Sequence, residues 1–487
     1  MLIDRERELE ELNWMLQEGG AHLLAVTGRR RLGKTTLLLE WAKQSGHPYL
    51  YWVSSRAPSA LLLRQFSQLV WQHTYPDDVM PANFTYADWA EALTQLARLT
   101  QMQRVIIILD EFSYAVQSEP ALPSILQNAW DHALKSTLAT VVLCGSHVGM
   151  MENLMRYEAP LYGRVVGPLH VEPLPFGALK QFYPRYSAAQ RVAVWSMLGG
   201  VPAYLERFKD AQTIGENVKR HIFRATGMFS TDPEHLLHES LREPQNYLAI
   251  LLAIAGGARR VTDIVATAGL SNLKQADPYL ARLRELRLVR REVPATVPRE
   301  KQATSRYGRY VLADHYLRFY FRFIWPNQDL LEQRLHDLLW ERISEQFRAY
   351  IGQTAFEELC QEWVLSQARH GQLLFMPERV GSYWGKGVQV DVVAISWREK
   401  KLLLGECKWG THQVGRSIIR ELIEKKTPIV QKALPDKGAD WHIHYAFFAR
   451  KGFTAAAQVE GQHCKATFVD LDKLDKTMSR GVTDSKS

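Results

Sequence analysis

The sequence predicts an α/β protein whose N-terminal domain has three layers, with a parallel sheet between two layers of helices. Residues 22–26 form an apolar run that ends at a glycine-rich loop, and residues 37–42 then follow a helical pattern. A second apolar run, residues 105–109, follows Arg104 without interruption and ends in two carboxylates. Continuous apolar runs are typical of strands that are buried on both faces of a parallel sheet.

Length and composition set the outer limits of the prediction. A chain of 487 residues is too long for one hydrophobic core, so several domains are expected. No stretch approaches the roughly 18 apolar residues of a membrane span, and the first residues are charged where a signal peptide is apolar. The four cysteines form no CxxC pair, which excludes zinc ribbons and thioredoxin-like sites. We therefore expect a cytoplasmic protein with no membrane partner.

The loop after the first predicted strand has the GxxxxGK[ST] spacing of a phosphate-binding loop. Its glycines let backbone N–H groups approach the phosphates, Lys34 meets the β and γ oxygens of ATP, and the Thr35 hydroxyl ligates Mg²⁺. A chance glycine turn is the alternative, and the strand–loop–helix context disfavours it. Whether the three arginines touch phosphate or water is left open. The predicted phosphate-binding residues are Gly28, Arg29, Arg30, Arg31, Leu32, Gly33, Lys34, Thr35 and Thr36.

The second apolar run is interpreted as a Walker B strand. Asp110 at its end is predicted to hold Mg²⁺, directly or through water, and Glu111 to polarise the attacking water. A solvated acidic turn is the alternative. A third apolar run, residues 140–145, ends at Ser146, which is predicted to sense the γ-phosphate or else to cap the next helix.

Several short segments carry a family resemblance: residues 3–9, 28–35, 144–146, 160–164 and 199–205. Together they resemble the archaeal-type ATPase family, a branch of the AAA+/STAND P-loop ATPases, over essentially the whole chain. The resemblance implies that Asp4, Arg5 and Pro202 lie against the base and ribose of the nucleotide. It also implies that Arg164 is a phosphate-sensing residue or an arginine finger, with a surface salt bridge as the alternative.

The middle of the chain predicts a winged helix-turn-helix. Three helical patterns, ending near residue 288, are followed by two short strands around residues 290–293 and 309–312. Between Arg259 and Arg309 lie twelve basic and five acidic residues, an excess of seven out of a net charge of +8. Such an excess favours contact with DNA phosphates. The alternative is that the winged helix serves as an internal hinge, as it does in STAND ATPases.

The C-terminal region predicts two strands joined by a hairpin, residues 388–395 and 401–408. A turn at their midpoint places Asp391 opposite Glu406, with Cβ atoms about 5 Å apart, and alternation puts Lys408 on the same face as Glu406. Such a group can share a metal, with Lys408 beside it to hold hydroxide or a phosphate oxygen.

This D…ExK arrangement resembles the PD-(D/E)XK nuclease superfamily, whose restriction-endonuclease-like fold is α/β. The likeness implies that Glu357 is a third metal-binding acid beside Asp391 and Glu406. Two departures are Gln389, where related sequences often carry an acid, and the missing proline before Asp391. A solvated polar sheet face is the alternative. His442 and His444 are interpreted as polar positions of a strand.

The predicted organisation has four parts. They are a P-loop ATPase domain with a helical lid (1–240), a winged helix-turn-helix domain (241–326), a nuclease-like domain (346–475) and a mobile tail (476–487). The predicted function is a switch that binds and hydrolyses ATP with Mg²⁺ and acts on DNA. A role in defence or mobile-element control is an analogy with STAND relatives. A homo-oligomer and a protein trigger are both left open, and a non-cleaving regulator or scaffold that binds DNA or protein is the alternative.

Overall fold

The computed structural model describes residues 2–224, 226–233 and 244–480. The chain divides into two compact units. Unit 1 comprises residues 1–174 and 201–203, and unit 2 comprises residues 175–200 and 204–487. The predicted boundary at residue 240 lies outside the described residues.

Unit 1 contains a five-stranded sheet in the order β2-β3-β4-β1-β5, with every neighbouring pair parallel. This confirms the predicted parallel sheet. Because β4 lies between β1 and β3, the carboxyl ends of these three strands are neighbours at one edge, where ligands bind in open α/β sheets. The strands are β1 (His22–Thr27), β2 (Tyr49–Val53), β3 (Val105–Asp110), β4 (Ala139–Gly145) and β5 (Val165–His170).

Helices cover this sheet and build its core. Trp52 at the end of β2 packs edge-on against Phe66 and Trp89, with ring centroids 5.4 and 5.8 Å away. These large side chains exclude water from one face of the sheet. The helices of unit 1 are α1 (Glu6–Gln17), α2 (Lys34–Gln44), α3 (Ser59–Thr74), α4 (Trp89–Leu99), α5 (Phe112–Ser118), α6 (Leu122–His132) and α7 (Val148–Asn153), with a 3-10 turn at Leu134–Ser136.

Unit 2 begins with helices and continues into a two-stranded antiparallel sheet, β6 (Val289–Glu292) and β7 (Arg309–Leu312). Residues 316–325 are rich in aromatic side chains, and the sequence predicts a buried helix there. They are mostly buried and helical in three forms, which are α16, a π-helical turn at Tyr320–Ile324 and a 3-10 turn at Trp325–Asn327. The helices up to this point are α8 (Leu179–Phe182), α9 (Ala188–Leu198), α10 (Pro202–Leu205, at the boundary of the units), α11 (Ile214–Asn217), α12 (Pro244–Ala255), α13 (Val261–Thr267), α14 (Leu273–Glu285), α15 (Arg299–Gln302) and α16 (His315–Phe319), with a 3-10 turn at Phe176–Ala178 and a π-helical turn at Val218–Ile222.

The C-terminal part of unit 2 holds a mixed five-stranded sheet in the order β12-β11-β10-β9-β8. The two predicted strands are β9 (Val388–Ser396) and β10 (Lys401–Lys408), which pair antiparallel, whereas β10 and β11 pair parallel. The remaining elements are α17 (Gln328–Glu332), α18 (His336–Ile351), α19 (Glu357–Arg369), β8 (Arg379–Gly385), α20 (Arg416–Arg420), α21 (Thr427–Gln431), β11 (His442–Ala449), α22 (Ala455–Gln462), β12 (Thr467–Asp470) and α23 (Leu471–Arg480), with π-helical turns at Gly352–Phe356 and Glu421–Lys426 and a 3-10 turn at Pro435–Gly438.

The loop between β6 and β7 packs on the C-terminal sheet. The Ala295 backbone N–H donates to the Ser382 carbonyl at 2.8 Å, and the Arg379 guanidinium donates to three carbonyls of residues 293–297. Ala295 itself is fully buried in the core of that sheet. Residues 293–296 of this loop are therefore part of the packed interior of unit 2.

The last helix is also packed. Arg191 on α9 and Asp475 on α23 form a buried ion pair at 2.7 Å, and a Cβ at Gly177 would lie 2.2 Å from the Met478 carbonyl oxygen. Residues 476–480, predicted to belong to a mobile tail, continue α23, and residues 481–487 lie outside the described residues.

Within the part of the chain that the structure describes, no helix has both the length and the apolar character needed to cross a membrane.

Candidate functional site

The glycine-rich loop of unit 1 connects β1 to α2, and two of its residues have to be glycine. At Gly28 an added Cβ would lie 2.5 Å from the Val171 carbonyl oxygen. Gly33 immediately precedes α2 with φ +85°, a left-handed conformation that other residues rarely adopt. The loop therefore turns tightly into the N-terminus of α2, where the helix dipole and free N–H groups favour an anion.

Lys34 lies inside the curl of this loop. Its side chain is 6% exposed, and Nζ donates to the carbonyls of Gly28 and Arg29 at 2.8 and 2.9 Å. Burial lowers the pKa of Lys34, and the negative charges of Glu111 and Asp110 oppose that shift. The ammonium is thus fixed where the loop encloses its ligand.

Asp110 and Thr35 meet at the carboxyl end of β3. The Thr35 hydroxyl donates to Asp110 Oδ2 at 2.6 Å, and the Tyr51 hydroxyl donates to the same oxygen at 3.1 Å. Asp110 Oδ1 accepts the Glu111 backbone N–H at 2.9 Å. A hydroxyl and a carboxylate that converge in this way suit the oxygen ligands Mg²⁺ prefers, so these residues fit the predicted ion. Sequence reasoning missed Tyr51, whose only signal is its place near the end of the neighbouring strand.

Glu111 follows Asp110 in a left-handed conformation, with φ +50°. Its Oε2 accepts the Ser146 hydroxyl at 2.8 Å, and its backbone carbonyl accepts the Ser54 hydroxyl. Ser146 therefore binds Glu111 and does not cap α7, whose cap residue is His147. The Ser146 backbone N–H donates to the same oxygen at 3.4 Å, so two hydrogen bonds join the residues that follow β3 and β4.

Arg5 supports the loop from the N-terminal side. Its guanidinium is 5% exposed and donates to the carbonyls of Leu32 and Glu172, both at 2.9 Å, and to Glu8 at 2.6 Å. Asp4 beside it has φ +53°, and burial, followed by the charges of nearby glutamates, raises its pKa to about 6. The structure places both residues next to the loop, and their contact with base and ribose stays a prediction.

The other predicted nucleotide residues have diverse surroundings. Arg164 forms a bidentate ion pair with Asp131 at 2.7 and 2.9 Å, which is the salt-bridge alternative, and its sensor role stays a prediction. The Arg30 guanidinium donates to the Tyr114 hydroxyl. Thr36 is exposed on α2, and Pro202 is the first residue of α10.

In unit 2 the strand register brings Asp391 and Glu406 together. The last β9–β10 pair is Val392 with Gly405, so Asp391 and Glu406 are the next positions along the ladder. Asp391 Oδ2 accepts the Cys407 backbone N–H at 3.0 Å. Burial and the charge of Glu406 raise the pKa of Asp391. The two carboxylates thus lie side by side with little water, as the hairpin predicts.

Two lysines neutralise Glu406, which is 3% exposed. Lys408 Nζ lies 2.8 Å from Oε2, and Lys426 Nζ lies 2.6 Å from Oε1. Lys408 is also 3.9 Å from Asp391. Sequence reasoning missed Lys426, because it reaches the site from a π-helical turn at no diagnostic spacing.

Glu357, the predicted third acid, is the first residue of α19. Burial raises its pKa strongly, and the charge of Asp391 raises it further. Across the described ranges, no three or more His, Cys, Asp or Glu side chains are arranged to hold a metal ion. Glu357, Asp391 and Glu406 are therefore not arranged as the predicted metal site. Both carboxylate oxygens of Glu406 instead bind ammonium groups. His444 stacks on Phe375 at 5.9 Å, in keeping with its place on the strand face.

Comparisons with known proteins found family matches for two parts of the chain. Residues 2–208 match a family described as an ATPase domain predominantly from Archaea, and residues 320–419 match a family of archaeal and bacterial proteins of unknown function. An uncharacterized protein of Methanocaldococcus jannaschii is 30% identical over 411 residues, which is 84% of this chain and 88% of that protein.

Among solved structures, the Walker-type ATPase of Pyrococcus abyssi is similar at a TM-score of 0.51 and 20% identity, covering 66% of this chain and 96% of that one. The ORC2 protein of Aeropyrum pernix, in its ADPNP-ADP complexes, has a TM-score of 0.45 at 16% identity, covering 69% and 95%. The Pyrococcus likeness shows the fold.

Proposed function

Since this chain belongs to the archaeal-type family of AAA+ P-loop ATPases, we propose that it is an ATP-driven switch. The nucleotide state of unit 1, the P-loop ATPase domain, controls whether unit 2 binds and cuts nucleic acid. The observation that carries the proposal is the convergence of Lys34, Thr35 and Asp110 at one edge of the sheet, with Thr35 and Asp110 2.6 Å apart.

In unit 1, Lys34 neutralises the β and γ oxygens of ATP, and Thr35 and Asp110 hold Mg²⁺. When bound, the ion neutralises charge that develops on the phosphate oxygens. Glu111 orients the attacking water through the carboxylate oxygen that does not accept from Ser146. Ser146 then detects a change at the γ-phosphate through its hydrogen bond to Glu111.

In unit 2, helix α14 and the β6–β7 pair act as a winged helix-turn-helix, and DNA contact is assigned to α14. Arg284 on this helix is exposed, whereas the arginines of β6 are engaged within the unit. Arg290 pairs with Glu292 and Glu358, and Arg291 donates to two backbone carbonyls. The β6 arginines therefore serve as internal supports, whereas Arg284 on α14 is available to phosphates.

The nuclease step is assigned to Asp391, Glu406 and Lys408. Asp391 and Glu406 would hold a divalent ion here, which would supply an activated water and charge stabilisation. Lys408 positions the attacking water. Glu357 would be the third acid beside them.

A non-cleaving regulator is the second candidate, and one observation favours it. Both oxygens of Glu406 are occupied by ammonium groups, at 2.8 and 2.6 Å, so the carboxylate is satisfied without a metal. In that case unit 2 binds nucleic acid or protein and cuts nothing.

One experiment separates the two candidates. Purified protein is assayed for ATP turnover and for cleavage of plasmid and single-stranded substrates, with Mg²⁺, with Mn²⁺ and with chelator. The switch with a nuclease predicts metal-dependent cuts that are lost in Asp391→Asn, while ATP turnover is retained. Full ATP turnover without cuts under any condition favours the regulator, and no ATP turnover refutes the proposal.

A further inference from the structure

Unit 2 contains a cleft of about 900 Å³ outside the carboxylate pair itself. Its walls come from the β6–β7 pair, the adjoining turn before α13, helices α18 and α19, and the ends of β8 and β9. The side chains facing it are mostly polar, and seven arginines among them outnumber five glutamates. A cleft of this kind suits an anionic ligand.

Part of the positive charge in this cleft has no carboxylate to cancel it. Arg290 and Arg318 form ion pairs with Glu358. Arg291 and Arg379, by contrast, donate to backbone carbonyls and form no ion pair with a carboxylate in the described residues. A carbonyl satisfies the hydrogen-bonding capacity of a guanidinium but leaves its charge in place.

Arg259 and Arg309 bring two of these positive charges close together in the cleft. Arg309 lies over the Trp384 ring at 4.5 Å, and the Tyr310 backbone N–H donates to the Arg259 carbonyl at 2.8 Å. Burial lowers the pKa of Arg309, the charges of Arg259 and Arg260 lower it further, and the charge of Glu292 opposes this shift. The Arg259 guanidinium forms no hydrogen bond or ion pair with another described residue, although its positive charge lowers the pKa of nearby Glu357. A bound anion would relieve this repulsion.

The cleft leads to the carboxylate pair. Gln361 lines it and donates to the Asp391 carbonyl at 2.9 Å. Arg309 lies 3.5 Å from the amide oxygen of Gln389, which is two residues before Asp391 on β9 and so points to the same side of the sheet. Glu357 also lines the cleft and senses the charge of Asp391.

We propose that this cleft binds one strand of nucleic acid, with successive phosphates at Arg259 and Arg309, and directs it toward Asp391. A volume of about 900 Å³ lies near the upper end of the roughly 300–1,000 Å³ of small-ligand pockets, so it holds a short stretch of a single strand and excludes a duplex. This deepens the proposed function by naming single-stranded nucleic acid as the substrate. Only cleavage of the bound strand rests on the proposed function; its binding does not.

The test is fluorescence anisotropy of a labelled single-stranded oligonucleotide with the full-length protein in chelator, over a range of salt concentrations. The variants are Arg259→Gln and the double variant with Arg309→Gln. The matched control changes Arg348 and Arg369 to Gln, two exposed arginines on α18 and α19 that do not line the cleft. Thermal melts check that each variant folds, and Arg259→Gln removes no hydrogen bond, so it keeps the test available if the double variant unfolds.

We expect the double variant to bind at least about tenfold more weakly, while the control binds like the wild type. The salt slope should fall by about 0.7 for each phosphate that the variant can no longer neutralise. Equal affinities of wild type and cleft variants for the single strand would overturn the proposal, as would an equal loss of affinity for duplex DNA in the cleft variants. If mononucleotides bind in an arginine-dependent way but the strand does not, the strand assignment also fails. Chelator prevents metal-dependent cuts, so weaker binding by the cleft variants supports the cleft even if the protein proves unable to cleave.

Discussion

Glu111→Gln should stop ATP hydrolysis while leaving ATP binding intact. Glutamine keeps the shape of glutamate, and its amide can still accept the Ser146 hydroxyl that lies 2.8 Å from Oε2 in the structure. The substitution leaves unchanged the hydrogen bond of 2.6 Å from the Thr35 hydroxyl to Asp110 Oδ2, so Mg²⁺ and nucleotide binding should survive. The variant lacks the carboxylate that polarises water, and general-base assistance contributes about 10²- to 10⁴-fold to a rate.

Single-turnover hydrolysis, measured beside equilibrium binding of a fluorescent ATP analogue, separates these effects. The expected result is a rate reduced by about 10²-fold or more, with a dissociation constant within a few fold of the wild-type value. Glu10→Gln is the matched control, since Glu10 is exposed on α1 and its variant should hydrolyse ATP normally. Hydrolysis by Glu111→Gln at the wild-type rate would show that another group orients the water.

Three further predictions concern charge and burial. Asp4 has a pKa of about 6 in the folded protein against an ordinary 3.8, so its ionisation opposes folding as pH rises from about 4 to 6. Asp4→Asn should therefore raise the free energy of unfolding above pH 6 by at most about 3 kcal/mol and change it little near pH 4. Denaturant melts at several pH values measure this. Asp475→Ala leaves the buried Arg191 without its partner and should lower the free energy of unfolding by about 3–5 kcal/mol. Lys426→Ala frees one oxygen of Glu406 and should tighten Mn²⁺ binding in calorimetric titrations.

Two of these variants have a matched control in the chain, and the third has its own pH dependence as control. Asp472→Ala changes an exposed residue of α23, and Lys425→Ala removes an exposed ammonium beside Lys426. A pH-independent effect of Asp4→Asn would contradict the assigned pKa. If Asp475→Ala is no more destabilising than its control, the last helix is not anchored by that ion pair. Unchanged Mn²⁺ affinity in Lys426→Ala would mean that the lysine does not compete with a metal.

The sequence predicted best where one physical constraint governs a whole element. Continuous apolar runs identified β1, β3 and β4, because a strand covered on both faces can carry few polar residues. The register of Asp391 with Glu406 followed from the alternation of side chains and the position of the turn.

Contacts between distant segments were not predictable in this way. Lys426 and Tyr51 reach their carboxylates through tertiary packing, and nothing in their local sequence marks them. The charge of the wing favoured contact with DNA, with an internal hinge as the alternative, but its β6 arginines are engaged by Glu358 and by backbone carbonyls. Net charge describes a segment and does not determine which of its residues face solvent.

The central claim is that the nucleotide bound to unit 1 controls unit 2. Its most direct test is the affinity of Glu111→Gln for a single-stranded oligonucleotide, measured in chelator-free buffer containing Mg²⁺ with saturating ATP and then with saturating ADP. A switch predicts affinities that differ by at least about fivefold between the two states, the lower end of typical coupling energies. Equal affinities, with both nucleotides shown to be bound, would contradict the account.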